Sequence, residues 1–136
     1  MAFPGPSATS SVYETEAWGK TDQPAFLNAA IVLHSQVSIE ASFHILRRIE
    51  SGLGEQKSSV WGPREIDIDL IFYGQEIYHA QDLTVPHPRA HLRNFVLAPL
   101  SELIPYYRHP QLKRSMEELY LSCKDPLRVR QTFLSL

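Results

Sequence analysis

In the stretch "WGPREIDIDLIFYG", residues 61–74, the part from residue 65 onward alternates as expected of a β-strand, with the period of two that places successive side chains on opposite faces. Because side chains two positions apart on a strand emerge in the same direction, its two aspartates would stand about 6 to 7 Å apart on one face. The alternation predicts a strand that ends at Gly74, with Ile66, Ile68, Leu70 and Phe72 facing the interior and Asp67, Asp69, Ile71 and Tyr73 facing the opposite side.

The aspartate pair has two interpretations. In the first, Asp67 and Asp69 simply solvate the exposed face of an edge strand, as most short acidic pairs do. In the second they bind metal, because the same face continues with apolar and aromatic residues and the loss of hydration beside them must be offset by cations. Magnesium is typically held by one or two carboxylates and nucleotide phosphates, and two ions roughly 4 Å apart would fit between this pair. Arg64, held behind a rigid Gly-Pro step, would add a fixed positive charge.

The rest of the chain contains patterns of both strands and helices. Ser38 is a plausible N-cap for a long amphipathic helix, and Gly52 or Gly54 a plausible stop. Ser115 and Glu118 have the spacing of a capping box. The patterns predict a strand over residues 26–35, helices over residues 38–54 and 95–104, and a further helix that begins after Ser115. Together they indicate a mixed α+β domain with antiparallel pairings.

Composition limits the class of protein. With 136 residues, 43% of them apolar, the chain suits one compact domain, which we place at residues 11–136 after a loose arm over residues 1–10. The near balance of 13 basic and 15 acidic residues predicts no nucleic-acid or membrane partner. A single cysteine excludes an internal disulfide, and the absence of an apolar run of spanning length favours a cytoplasmic setting.

A second cluster of polar residues lies in "LTVPHPRAHLRNF", residues 83–95, which contains two histidines and two arginines. The plainest interpretation is a solvated loop. His87 and His91 are four residues apart and could bind zinc on a helix, but Pro86 and Pro88 disfavour a helix there and no cysteine accompanies them. Donors for a phosphate group are the better interpretation.

Several segments in this order resemble the 6-hydroxymethyl-7,8-dihydropterin pyrophosphokinase family of folate biosynthesis. They are "SVYETEAWGKTDQPAFLNAA", "RRIE", "WGPREIDIDL", "LTVPHPRAHLRNFVLAPLSELIP" and the His-Pro of "YYRHP". The resemblance covers roughly residues 10–122 and implies a ferredoxin-like α+β sandwich with a mainly antiparallel sheet. It also implies transfer of the terminal pyrophosphoryl group of ATP to the hydroxymethyl group of the pterin, with release of AMP.

The resemblance implies a role for particular residues. Asp67 and Asp69 would ligate two Mg²⁺ ions and, with Arg64, form the catalytic group. The polyphosphate of ATP would be contacted by Arg64, His87 and Arg93, and the nucleoside site lined by Glu50, Leu70 and Thr84. The pterin would be bound by the rings of Phe26 and Phe95, the amide of Asn28, the backbone of Thr15 and Trp18, and a mobile loop that carries Trp61.

Two features depart from the family pattern. Members normally begin with a strand, a Gly-Ser-Asn loop and a long helix before the segment that resembles "SSVYETE", residues 10–16, and here only about ten unpatterned residues precede it. We therefore expect a homodimer to complete the sheet, a rebuilt sheet, or a longer gene product. In addition, Glu55 stands where a phosphate-binding arginine is expected while Lys57 keeps one positive charge, which predicts slower catalysis.

Three functions are left open by the residues. The first is an active pterin pyrophosphokinase, and the second is a non-catalytic relative that binds nucleotide or pterin. The third is a metal-dependent nucleotide hydrolase that uses the same aspartates with water as the acceptor. The products formed from ATP distinguish all three.

Overall fold

The computed structural model describes residues 6–15, 26–56 and 66–136. These residues form short strands around a helical core. The strands are β1 (Pro6–Thr9), β2 (Ser11–Thr15), β3 (Phe26–Asn28), β4 (Ile31–Leu33), β5 (Tyr78–His79), β6 (Thr84–Val85) and β7 (Val129–Ser135). The helices are α1 (Ile39–Gln56), α2 (Asn94–Leu103) and α3 (Met116–Leu121), and a 3-10 turn spans Ala90–Leu92. No helix in this described part of the chain is long and apolar enough to cross a membrane.

The first four strands form one long antiparallel pairing with a break in its middle. Strand β1 pairs with β4, and β2 pairs with β3, so that Thr15 lies opposite Phe26. At the break, the Ser10 N–H donates to the Ala30 carbonyl at 2.9 Å, and the Ser10 hydroxyl oxygen accepts from the Ala30 N–H at 2.8 Å. Ser10 therefore replaces the missing ladder rung and keeps the two pairings aligned.

Strand β7 adds to the other edge of β2, which gives a three-stranded sheet in the order β3-β2-β7. Arg130 pairs with Glu14 of β2 at 2.7 Å, and the Thr132 hydroxyl donates to the Val12 carbonyl at 2.8 Å. Strands β5 and β6 form a separate hairpin. All of these pairings are antiparallel, so the α+β class with an antiparallel sheet is confirmed.

The core lies between α2 and α3. Leu97 and Leu100 of α2 pack on Met116 and Leu119 of α3, and all four side chains are buried. Helix α2 also contacts β2, β3 and β7, so the three-stranded sheet rests on its other side. The apolar side chains that surround this core are Ala30, Ile71, Phe72, Val96, Ile104, Tyr107, Tyr120 and Cys123.

Helix α1 lies alongside residues 66–73. The Tyr73 hydroxyl donates to the Val37 carbonyl just before α1, and the Ile68 N–H donates to the Glu50 carboxylate near its end. The residue just before α1 contacts the end of the segment, and a residue late in α1 contacts an earlier residue of the segment. The helix and the segment therefore run antiparallel. The segment with the aspartates is therefore aligned with the length of α1.

The strand predicted over residues 65–74 is the main difference between expectation and structure. Among the described residues, the backbone of residues 66–73 pairs with no strand. Its Ile71 carbonyl accepts a hydrogen bond from the His87 N–H, and its Tyr73 carbonyl accepts one from the Glu76 N–H, both at 3.0 Å. A ladder needs a second strand in register, and the described chain supplies none here. The prediction of a paired strand is wrong for these residues.

Three further predictions differ in part. Residues 6–9 form β1, so the predicted loose arm is wrong there, because β4 offers them a partner. The strand predicted over residues 26–35 is divided at Ala29 and Ala30, where Ser10 takes over the hydrogen bonding. Helix α1 continues past Gly52, where an added Cβ would meet nothing within 4 Å, because a glycine in an open helix position costs only about 1 kcal/mol.

The predicted helix starts are confirmed. The Ser38 hydroxyl oxygen accepts from the Ala41 N–H at 3.1 Å and caps α1. At α3, the Ser115 hydroxyl oxygen accepts from the Glu118 N–H at 3.1 Å and the Glu118 carboxylate accepts from the Ser115 N–H at 2.9 Å. The capping box therefore forms as the spacing predicted.

We expect His109 to make the stability of the fold depend on pH. Its side chain is 3% exposed, and its Nδ1 accepts from the N–H groups of Gln111 and Leu112, both at 3.1 Å. Burial lowers the pKa of His109, and the charge of His91 lowers it further. Because the unfolded chain then binds the proton more tightly, the free energy of unfolding should fall as pH drops below about 6.5, by at most about 1.4 kcal/mol per pH unit.

Urea unfolding between pH 7.5 and 5 measures this contribution. The variant His109→Asn keeps an acceptor near the Nδ1 position and cannot be protonated, so its stability should depend less on pH. His34→Asn, at an exposed position, is the matched control and should keep the pH dependence of the parent protein. An unchanged slope in His109→Asn would contradict the assignment.

Candidate active site

The two aspartates project from one side of an extended segment. Asp67 and Asp69 are exposed, whereas Ile66, Ile68 and Leu70 are half-buried, so the predicted alternation of faces is present although no ladder forms. No side chain within residues 6–15, 26–56 and 66–136 forms an ion pair with either carboxylate. The pair is therefore open to a ligand from the solvent side.

Glu50 of α1 fixes the residue between the two aspartates. One of its carboxylate oxygens accepts from the Ile68 N–H at 2.7 Å, and the other pairs with Arg47 at 2.7 Å. These partners lower the pKa of Glu50, with the Ile68 bond as the largest cause, and they keep the carboxylate ionised near neutral pH. The orientation of the acidic pair thus depends on a side chain from a helix.

The segment that carries His87 lies beside the aspartates. The His87 N–H donates to the Ile71 carbonyl at 3.0 Å, two residues beyond Asp69. The His87 Nδ1 accepts from the Arg89 N–H at 3.1 Å, which orients the ring. With Nδ1 occupied as an acceptor, the neutral ring carries its proton on Nε2 and can donate from there.

The charges around His87 show which residues the structure brings together. Burial lowers the pKa of His87, the negative charge of Asp69 raises it, and the positive charges of Arg93 and Arg89 lower it. Asp69, Arg93 and Arg89 therefore each lie close enough to His87 to act on its charge. A carboxylate and two cations near one imidazole are a combination that suits a phosphate group bridged by a cation.

The residues fit a magnesium ion as part of a larger shell. The described residues contain no group of three or more histidine, cysteine, aspartate or glutamate side chains that could hold a metal. Asp67 and Asp69 offer oxygen donors at alternate positions, and magnesium commonly takes one or two carboxylates and fills its shell with water and substrate phosphates. The donor set is thus suited to magnesium bound together with a phosphate ligand.

An aromatic surface lies at the ends of β3 and α2. Phe26 is 63% exposed at the start of β3, opposite Thr15, which is 2% exposed. The Thr15 hydroxyl has no hydrogen-bond partner among the described residues. In the first turn of α2, the Arg93 guanidinium lies 5.5 Å from the centre of the Phe95 ring. Helix α2, whose first turn contains Phe95, contacts both β2 and β3.

The remaining predicted site residues have varied positions. Asn28 lies opposite Tyr13 in the β2–β3 pairing, Leu70 is half-buried, and Thr84 pairs with His79 in the β5–β6 hairpin. Trp18, Trp61 and Arg64 lie outside the described residues. The roles assigned to individual site residues stay predictions.

Comparison with known proteins identifies the family. Residues 4–105 match the model of the family described as 7,8-dihydro-6-hydroxymethylpterin-pyrophosphokinase (HPPK). The chain belongs to the HPPK family. The match includes the acidic pair, Glu50, His87 and the start of α2, so the groups that the structure brings together lie within the part shared with the family.

Similar proteins have names that agree with this family. The chain is 35% identical over 109 residues to a 2-amino-4-hydroxy-6-hydroxymethyldihydropteridine pyrophosphokinase of Aquifex aeolicus, which covers 80% of this chain and 68% of that protein. It is 39% identical over 94 residues to a protein of the same name from Bacillus subtilis, covering 69% and 56%. A folate synthesis bifunctional protein of Arabidopsis thaliana is 41% identical over 96 residues, covering 70% and 20%. The chain thus spans little more than half the length of its Bacillus relative.

We expect the Glu50 carboxylate to protect the Ile68 amide from hydrogen exchange. A hydrogen bond to a charged acceptor contributes about 1.5 to 3 kcal/mol, so Glu50→Ala should speed exchange at this amide at least about tenfold. Hydrogen-exchange NMR measures the effect. Arg47→Ala is the control because it removes the ion pair and keeps the oxygen that faces Ile68. Equal exchange in Glu50→Ala and the parent protein would refute the role.

Proposed function

We propose that this chain transfers the pyrophosphoryl group of ATP to 6-hydroxymethyl-7,8-dihydropterin and releases AMP, as an ATP-dependent diphosphotransferase of folate biosynthesis. The observation that carries the proposal is the bond from the His87 N–H to the Ile71 carbonyl, which places His87 next to the open acidic pair, with the charges of Asp69 and Arg93 both acting on His87. Membership of the HPPK family supports the same chemistry. The names of the relatives give the pterin as the substrate class.

Asp67 and Asp69 would hold two magnesium ions together with the phosphates of ATP. These ions would supply positive charge to the oxygens of the transferred group. The protein's own contribution is to keep both carboxylates exposed, and Glu50 fixes the backbone between them by accepting from the Ile68 N–H. The residues thus offer a prepared site that needs little rearrangement when the nucleotide binds.

His87 and Arg93 would bind the phosphate oxygens from the opposite side. Because Nδ1 of His87 already accepts from Arg89, the neutral ring would donate its Nε2 proton to a phosphate oxygen. Arg93 would contribute a permanent charge, and its guanidinium is held in place over the ring of Phe95. Arg64 would join them, and Glu50, Leu70 and Thr84 would border the nucleoside.

The pterin would lie between the rings of Phe26 and Phe95. A flat heterocycle gains from offset stacking, and the exposed ring of Phe26 is free on its outer side within the described part of the molecule. Asn28 and the Thr15 backbone would bind the polar edge, with Trp18 and Trp61 completing the site. The buried Thr15 hydroxyl, which has no partner among the described residues, would also gain from a polar ligand atom.

In the reaction, the hydroxymethyl oxygen of the pterin attacks the β-phosphorus of ATP in line. The new bond joins this oxygen to the β-phosphorus, and the bond from the β-phosphorus to the oxygen bridging it to the α-phosphorus breaks, so AMP leaves. The hydroxyl proton is lost to solvent, and no general base from the protein is required. Positioning of the substrates, together with the charge of Arg64 and of the ions held by Asp67 and Asp69, would supply most of the acceleration.

The setting we propose for this reaction is the cytoplasm, with one catalytic domain over residues 11–136. Association of two copies of the chain is also a proposal. A measurement of mass in solution at several concentrations tests it, since a homodimer would show twice the 15.5 kDa of one chain.

We expect ATP, magnesium and the pterin to yield AMP and the pyrophosphorylated pterin in equal amounts. Asp67→Asn and Asp69→Asn should each lower this rate about a hundredfold or more, because each removes charge worth several kcal/mol in the transition state. Chromatography of nucleotide and pterin products measures the rates. Glu76→Gln is the matched control, since it changes an exposed carboxylate just beyond the segment and should leave the rate unchanged.

The product pattern also separates the other two functions. If ATP binds and no AMP forms above the blank, the chain is a binding relative without catalysis. If AMP or ADP forms equally well without pterin, it is a hydrolase. Formation of the pyrophosphorylated pterin by the parent protein and by Glu76→Gln, and its loss in Asp67→Asn, is the result that fits only the proposed function.

Phe26→Ala should raise the KM for the pterin about three- to tenfold and leave the dissociation constant of ATP unchanged. The reason is that a stacking contact contributes about 0.5 to 1.5 kcal/mol beyond area burial. Leu27→Ala is the matched control, because Leu27 is 55% exposed, adjacent in β3 and directed to the other face. Steady-state kinetics with both substrates varied gives the two constants, and an equal effect of both variants would exclude specific stacking.

A further inference from the structure

The first residue of α2 is bonded to a segment far along the chain. The Asn94 N–H donates to one carboxylate oxygen of Asp125 at 2.9 Å, and the other oxygen accepts from the Leu127 N–H at 3.0 Å. The Asn94 side-chain amide also donates to the carbonyls of Asp125 and Leu127 at 3.2 and 3.1 Å. Three of these bonds join α2 to residues 125–127, and the fourth holds that segment in the bent shape that allows the other three.

This contact replaces an ordinary cap at the start of α2. The residue in the cap position is Arg93, and its side chain makes no capping hydrogen bond. The carboxylate of Asp125 takes that place and puts a negative charge at the positive end of the helix dipole. Pro126 directly after Asp125 restricts the backbone of this segment and makes it a stiff support.

The position of the contact connects it with substrate binding. Asn94 lies between Arg93 and Phe95, and the guanidinium of Arg93 is placed over the ring of Phe95. Any loosening of the Asn94 backbone therefore changes the directions of both neighbouring side chains. Asp125 itself lies beyond residues 4–105, which match the family model, so the match to the family gives no reason for its presence.

We propose that Asp125 is a positioning residue that holds Arg93 and Phe95 in the geometry that binds the polyphosphate and the pterin. This inference rests on the proposed function of the site. Asp125 would act through the backbone of Asn94, whose N–H donates to its carboxylate. Its removal should weaken the binding of both substrates and leave the transfer step itself largely unchanged.

The test compares Asp125→Ala, Asp125→Asn and the control Lys124→Ala, an exposed neighbour. We expect Asp125→Ala to raise the KM for ATP and for the pterin about three- to tenfold each, with kcat changed less than twofold. Asp125→Asn keeps one acceptor oxygen and should give intermediate values, and Lys124→Ala should match the parent protein. Unchanged KM values, or a loss of kcat with unchanged KM, would overturn the inference while the proposed function stands.

A second measurement does not depend on turnover. Hydrogen-exchange NMR should show faster exchange at the Asn94 and Leu127 amides in Asp125→Ala and unchanged exchange at the Ile68 amide. If the parent protein forms no product, the proposed function fails and exchange alone decides whether Asp125 orders the start of α2. Should Asp125→Ala not fold, Asp125→Asn, which removes the charge and one of the two acceptor oxygens, provides the comparison.

Discussion

One carboxylate holds the backbone on which the acidic pair stands. The Ile68 N–H lies between Asp67 and Asp69, and the partner it finds in the described part of the chain is the side chain of Glu50. A half-buried N–H without a partner would cost about as much as a lost hydrogen bond. The orientation of Asp67 and Asp69 therefore depends on the position of α1. A displacement of the part of α1 that carries Glu50 would move the backbone between the two aspartates.

Carboxylates that accept hydrogen bonds from a distant segment also fix both ends of α2. At its start, the Asp125 carboxylate accepts from the Asn94 N–H. At its end, the Glu102 carboxylate accepts from the Tyr13 hydroxyl at 2.7 Å and from the Ser11 N–H at 3.0 Å, which fastens the helix to β2. Glu102 and burial together raise the pKa of Tyr13, so this hydroxyl stays protonated and keeps donating. Helix α2 is thus fixed relative to the sheet that carries Phe26.

The acidic and basic groups of the candidate active site come from two different segments of the chain. The acidic pair belongs to residues 66–73 and the basic groups to the segment after β6. A single backbone bond, from the His87 N–H to the Ile71 carbonyl, joins the two segments next to Asp69. Each segment alone would be an ordinary solvated loop, and the proposed binding of a cation with a phosphate depends on the two lying side by side.

The sequence correctly predicted the structural features that depend on residues close to one another along the chain. The Ser38 cap, the Ser115 capping box and the alternating exposure of residues 66–70 are all present, because each depends on residues within a few positions of one another. The acidic pair, His87 and Arg93 could likewise be chosen as candidate site residues from their types and order alone. The family was also recognisable from its motifs, and the match over residues 4–105 confirms it.

Only the tertiary structure decided which segments meet. The bond from Ile68 to Glu50 joins residues 18 positions apart, and that from Asn94 to Asp125 joins residues 31 apart. No periodicity or capping rule reaches across such separations, because these contacts form only when the intervening chain has packed. For the same reason the alternation of residues 66–70 could be read from the sequence, whereas the absence of a paired strand beside the described segment could not. A strand's faces are set by its own side chains, but its ladder is set by whichever other segment comes to lie next to it.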